Sequence, residues 1–122
     1  MVYLNDSVLD SGLDYIDTNA NRVDICSQEP ADYAEATSTY TLGNKTGVNP
    51  DAPTDGSPDG RSVQIPAISD GSVTSTGSAT HWALTNGSDT LIAANTLSAG
   101  QQVTASNTFT LTAFTIRIPD PS

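Results

Sequence analysis

Any covalent chemistry in this chain would have to begin with its one cysteine, Cys26, and its one histidine, His81. A thiol and an imidazole within hydrogen-bond reach make a nucleophile and its base, the ring taking the proton that leaves sulfur reactive. Both residues sit in strand-like patterns, and no basic neighbour in sequence lowers the thiol pKa. Cys26 therefore reads as a small core or half-buried residue, and His81 as a polar residue hydrogen-bonded at an interface. A metal ion needs more than one histidine and scattered carboxylates, so no metal site and no cofactor is expected. Asp51, Asp55 and Asp59 recur every four residues, without the alternating acids, glycine and distal glutamate of a calcium loop. A carboxylate pair for glycoside hydrolysis needs one acid buried enough to raise its pKa, and most acids here fall in the N-terminal helix or in turns. Phosphate-cradling glycine loops and nucleophile-elbow sequences are missing as well, so no catalytic residue is assigned.

The element that must position these groups is the stretch Gly77 to Ala93, which holds the one tryptophan and the one histidine. Asn86-Gly87 lies between two runs of apolar and Thr residues, the signal for a tight hairpin turn. Period-two alternation places Trp82 and Leu84 on one face with Thr80 beyond them, and His81 and Ala83 on the other. Trp82 and Leu84 are the expected core anchors, joined by Phe109, Phe114 and Ile116 from the alternating runs Thr108 to Leu111 and Phe114 to Ile118. Arg22 to Ser27 reads as a first strand with Val23 and Ile25 facing in and Cys26 beside Asp24. Residues 31–46 are ambiguous, a helical turn or two followed by a short strand. Asp70-Gly71 reads as a turn, and Gln102 to Thr104 as a strand of its own after a break at Ala99-Gly100. The whole is expected to be all-β, an antiparallel sandwich or barrel of about seven or eight short strands.

Two segments stand outside that scaffold. Residues 1–20 read as an arm whose helix is capped by Asn5 or Asp6 and carries the stripe Leu9, Leu13 and Ile16. So short a helix survives only by laying the stripe on something else, either its own domain of residues 21–122 or a neighbouring subunit. Residues 47–60, almost all turn formers, read as an exposed loop. A receptor- or carbohydrate-binding module is one rival reading, with that loop and the tyrosines as its site.

The chain has 122 residues, 14 acidic and 4 basic, for a net charge of −10. Arg22, Lys45, Arg61 and Arg117 are too few and too dispersed to grip phosphates, and the acidity opposes an anionic membrane, so neither nucleic acid nor membrane is an expected partner. One cysteine allows no internal disulfide. No apolar run reaches the roughly 20 residues of a membrane span, and Met1 to Asp6 lacks the pattern of a secretion signal, so synthesis and folding in a cytoplasm are expected. The triplets at Asn5, Asn44 and Asn86 are read as chance matches to a glycosylation signal.

Tyr3-Leu4-Asn5-Asp6, Asp24-Ile25-Cys26-Ser27-Gln28-Glu29-Pro30, Tyr40-Thr41-Leu42-Gly43-Asn44-Lys45, Gly77-Ser78-Ala79-Thr80-His81-Trp82-Ala83-Leu84 and the ending Ser106 to Phe114 together resemble small structural proteins of tailed bacteriophages and prophages. The resemblance covers most of the chain, and its most specific part is Thr80-His81-Trp82-Ala83-Leu84 with the downstream ending. It implies a non-enzymatic, β-rich virion component made in the host bacterial cytoplasm. That component is either a decoration (cement) protein on the outer capsid surface or a tail or fibre-associated protein. The acidity, repelled by packaged DNA, and the lack of a fibre shaft favour the head, with the major capsid protein and copies of the chain itself as partners, as a homotrimer. The interface candidates are Tyr3, Leu4, Leu9, Leu13, Ile16 and His81.

Overall fold

Asn5 starts the first element by accepting a hydrogen bond from the backbone N–H of Ser7 at 2.8 Å, which satisfies one of the free donors of helix α1 (Asp6–Asn19). The computed structural model describes residues 5–56 and 59–119. Along α1, Leu9, Leu13 and Ile16, continued by Ala20, form one stripe, and all four are buried. Leu13, Ile16 and Ala20 join Val23, Ile25, Val63 and Ile65 in a single core cluster, with the helix laid against strand β4 (Arg61–Ile65). The stripe therefore does not serve a neighbouring subunit. Leu9, Leu13 and Ile16 are corrected from interface candidates to core residues, because a helix of 14 residues gains its stability from packing that face within its own fold.

The remaining strands are β1 (Arg22–Cys26), β2 (Thr41–Thr46), β3 (Thr54–Asp55), β5 (Ile68–Val73), β6 (Gly77–Thr85), β7 (Leu91–Val103), β8 (Thr108–Leu111) and β9 (Phe114–Ile118). They form the expected antiparallel β architecture, a curled six-stranded sheet in the order β7-β6-β1-β2-β5-β8 with a three-stranded sheet β3-β4-β9. Strand β1 is central, pairing Val23 with Leu84 and Ile25 with Trp82 on one side and Ile25 with Gly43 on the other. The second sheet sets Val63 opposite Ile116 and Ile65 opposite Phe114. The Phe114 ring lies 4.2 Å from that of Trp82, centroid to centroid, and so ties the two sheets together.

Trp82, Leu84 and Phe109 are buried as expected of core anchors, whereas Phe114 and Ile116 pack against the cluster while keeping partial exposure. Thr80 does not share the Trp82 face. A bulge between Ala79 and His81 breaks the alternation, turning Ala79 into the core and Thr80 outward. On the partner strand the register jumps from Gln101 to Thr96, which absorbs Leu97 to Gly100 into one long strand where a break had been expected.

The tight two-residue turn at Asn86-Gly87 is also corrected. The Asn86 side-chain oxygen accepts from the N–H groups of Ser88, Asp89 and Thr90 at 2.9 to 3.0 Å, closing a longer asparagine-centred loop with Gly87 at φ +79°. Asp70-Gly71 lies within β5 and is no turn; Gly71 is required because a side chain there would collide with the Phe109 ring.

The segment 47–60 is tethered along its described length. Val48 is buried and its N–H reaches the Asn21 carbonyl, Asp51 N–H reaches Gln64, and Thr54–Asp55 pairs with β4. The ambiguous residues 31–46 comprise one π-helical turn, Glu35–Thr39, followed by β2.

Candidate functional site

Backbone register brings the two chemistry-bearing residues together, since Cys26 of β1 and His81 of β6 are direct cross-strand partners. Opposed residues in an antiparallel pair project from the same face, with Cβ atoms about 4.5–5.5 Å apart. Their surroundings decide what that proximity achieves. Cys26 is fully buried among Ala36 and Ala83, and its Sγ donates to the Ala36 carbonyl at 3.6 Å. Burial, helped by the negative charge of Asp24, pushes the thiol pKa up to about 12. At neutral pH the sulfur is a protonated thiol, the unreactive form.

His81 is half-buried, and its Nδ1 lies 2.9 Å from Thr80 Oγ1. The Thr80 hydroxyl spends its single proton on the Ser27 carbonyl at 3.0 Å, so it accepts from the ring, and Nδ1 carries the hydrogen. The imidazole is thereby fixed to the strand beside it.

The face of β1 that carries Cys26 also carries Arg22 and Asp24. Asp24 is completely buried. Arg22 grips it through Nε and Nη2 at 2.7 and 2.9 Å, and the Thr41 hydroxyl donates to its second oxygen at 2.7 Å. The hydrogen bonds to Asp24 raise the Arg22 pKa above its ordinary value. This network gives a buried charge the partners it needs, and the turn at Glu35–Thr39 with Tyr40 covers the same side of the sheet. An Arg-x-Asp pair on one strand face was the signal in the sequence for it.

The loop acids do not converge on a common point. Asp55 bonds Arg61 at 2.6 Å, Asp59 bonds Arg117 at 2.6 Å, and Asp51 takes part in neither pair. Among the described residues no three of His, Cys, Asp or Glu are placed to hold a metal ion.

Every basic side chain of the protein is in an ion pair: Arg22 with Asp24, Lys45 with Asp70, Arg61 with Asp10 and Asp55, Arg117 with Asp59. The three charge-assisted bonds that Arg61 donates to Asp10 and Asp55 raise its pKa further above its already high value. The surface left over is acidic. Three shallow grooves hold about 190, 210 and 270 Å³, each below the roughly 300–1,000 Å³ of clefts that enclose small ligands. The first, along Lys45, Val48, Pro66 and Asp70, contains no aromatic ring on which a sugar would stack.

The feature that sequence reasoning missed lies on the outer side of α1. Val8 and Tyr15 keep 55% and 49% of their surface in solvent, and they are the large hydrophobic residues that stand exposed among the described residues. They escaped notice because the stripe one position along carries the stronger periodic signal. Of the expected interface residues, Tyr3 and Leu4 lie outside the described residues, and His81 alone remains near the surface. Comparison with family models, curated proteins and solved structures finds no match to this chain.

Proposed function

We propose that this chain is a non-enzymatic structural protein of a tailed-bacteriophage virion, a capsid decoration protein that sits on the outer head surface and bridges major capsid subunits. The observation that carries the proposal is the state of its charges. Each cation is consumed inside the fold, so an uncompensated acidic exterior faces outward, suited to protein contacts and repelled by packaged DNA. The buried, protonated Cys26 is in keeping with a non-enzymatic role, and the resemblance of the sequence to small virion proteins gives the reading its direction. A homotrimer at the three-fold positions of the shell belongs to this proposal.

The test is to strip the protein from purified virions by mild heat and follow the heads. Heads that lose this chain and then rupture at lower temperature or lower osmotic stress support the decoration role. Heads of unchanged strength together with lost tails or fibres overturn it in favour of a tail component. Sedimentation equilibrium of the purified chain reads the trimer.

A further inference from the structure

We infer that the outer face of α1, formed by Val8, Ser11 and Tyr15, edged by Gly12 on one side and bordered by Asp14 on the other, grips a different polypeptide, which lays a helix carrying Lys or Arg beside an apolar side chain across it. The inference deepens the structural reading above and rests on it for the identity of the partner.

Geometry defines the seat. Seven residues advance the helix by almost two full turns, so Val8 and Tyr15 point the same way, with Ser11 and Gly12 between them. The inward stripe of Leu9, Leu13 and Ile16 is turned about a third of a turn from this row, with Gly12 at the border between them, so Val8, Ser11 and Tyr15 face solvent. Val8 and Tyr15 are about 10 Å apart along the axis, close to the diameter of an α-helix, and the small residues between them leave a notch. Gly12 is not demanded by the fold: a Cβ there would stand 3.4 Å from Ile118 Cδ1, an ordinary contact. Glycine is the poorest helix former after proline, so its place in the middle of α1 has no local structural gain to explain it.

Charge selects the occupant. Asp10, Asp14 and Asp17 recur at helical spacing along one flank of the same helix. Asp10 is taken by Arg61, but Asp14 and Asp17 enter no ion pair among the described residues. Asp17 also sits in the last turn, where the carbonyl end of the helix dipole is negative and no basic residue offsets it. A second copy of this chain cannot supply the missing cations, because all four of its basic groups are already engaged and it brings ten net negative charges of its own. The partner is therefore a different protein, apolar at its centre and basic at one edge.

Two measurements on the full-length chain test this. In the first, wild type, the Val8→Ser/Tyr15→Ser double variant and the Asp14→Asn/Asp17→Asn double variant are bound to virion heads stripped of this chain. The apolar variant is expected to bind at least about tenfold more weakly with unchanged melting, and the Asn variant to bind more weakly with a flatter salt dependence. Wild-type binding that the apolar variant fully retains overturns the inference and leaves the capsid role standing.

In the second, a synthetic Leu/Lys amphipathic helix is titrated into the isotope-labelled chain and read by NMR. Shifts centred on residues 8–18 and lost in the Val8→Ser/Tyr15→Ser variant support the face by themselves. Shifts spread over the whole acidic surface overturn it. If wild type ignores the stripped heads but the peptide maps to this face, the capsid reading fails and the docking face survives. Self-association abolished by the same double variant overturns the choice of a different polypeptide.

Discussion

Replacing Leu13 by Ala separates a helix that belongs to the core from one that is an appended arm. Leu13 is fully buried and lies in the same cluster as Val23, Ile25, Val63 and Ile65. The substitution removes three carbons, which at about 0.8 kcal/mol each lose about 2.4 kcal/mol of transfer free energy. The vacated space adds a cavity cost, bringing the loss to roughly 3–5 kcal/mol. For a chain of 122 residues, stability of order 10 kcal/mol makes that a large fraction, and at about 4 °C per kcal/mol the melting temperature falls by roughly 10–20 °C. Urea unfolding of Leu13→Ala beside Val8→Ala, an exposed position on the same helix, is the assay. The exposed change stays within about 0.5 kcal/mol, because it empties no cavity. A Leu13→Ala loss below about 1 kcal/mol, or a chain lacking residues 1–17 that still unfolds cooperatively at the wild-type midpoint, would refute the placement of α1 in the core.

Trp82→Ala removes the ring that meets Phe114 and costs about 3–5 kcal/mol by urea unfolding, an outcome that an unchanged midpoint would contradict. Asp24→Asn leaves the Arg22 guanidinium without its carboxylate in a partly buried site and costs about 2–3 kcal/mol; the Arg22→Met/Asp24→Leu pair recovers most of this if desolvation governs the site. Cys26 has a folded pKa of about 12 against an ordinary 9.0, so the stability from holding the neutral thiol is fully present below pH 9 and is lost as pH rises toward 12. The difference between wild type and Cys26→Ala, followed by chemical denaturation across that interval, should change by about 1.4 kcal/mol per pH unit, and a difference independent of pH would show the thiol to be solvated.

The β architecture was legible because Val23/Ile25, Trp82/Leu84 and Phe114/Ile116 alternate against polar residues, and a sheet with one buried face imposes that period directly. What escaped the pattern depends on contacts between distant residues. Nothing local announces that four residues of β7 bulge opposite one of β6, reversing the faces of Ala79 and Thr80. Nor does local sequence show that Gly71 is fixed by Phe109, a residue far along the chain. The loop 47–60 reads as exposed from its turn formers, yet Val48 within it is buried, as is Pro50. At the candidate site, the uniqueness of Cys26 and His81 made them visible, and their cross-strand pairing could follow from the strand registers alone. The enclosure that keeps the thiol protonated comes from Ala36 and the turn around it, in a stretch whose conformation the sequence left open.

The distribution of charge links this fold to a consequence for assembly. The exposed pairs Lys45–Asp70, Arg61–Asp55 and Arg117–Asp59 contribute little to stability, so the engagement of those cations is not explained by the free energy it supplies. Its larger effect is on what the surface presents: copies of the chain repel one another at long range, so the proposed trimer has to be held by close contacts, while a surface that provides positive charge attracts the chain from a distance. On the shell proposed above, that repulsion disfavours contact between freely diffusing copies while leaving attachment to a basic point favourable. The attraction is screened within about 8 Å at physiological salt, so it acts on the approach and the orientation. Burial of Val8 and Tyr15 is insensitive to that screening and governs how long the contact lasts. Raising salt should therefore slow association with shells far more than it speeds dissociation, a division that surface plasmon resonance at several ionic strengths would resolve. Equal effects on both rates would mean that the acidic flank, and not the apolar row, holds the complex together.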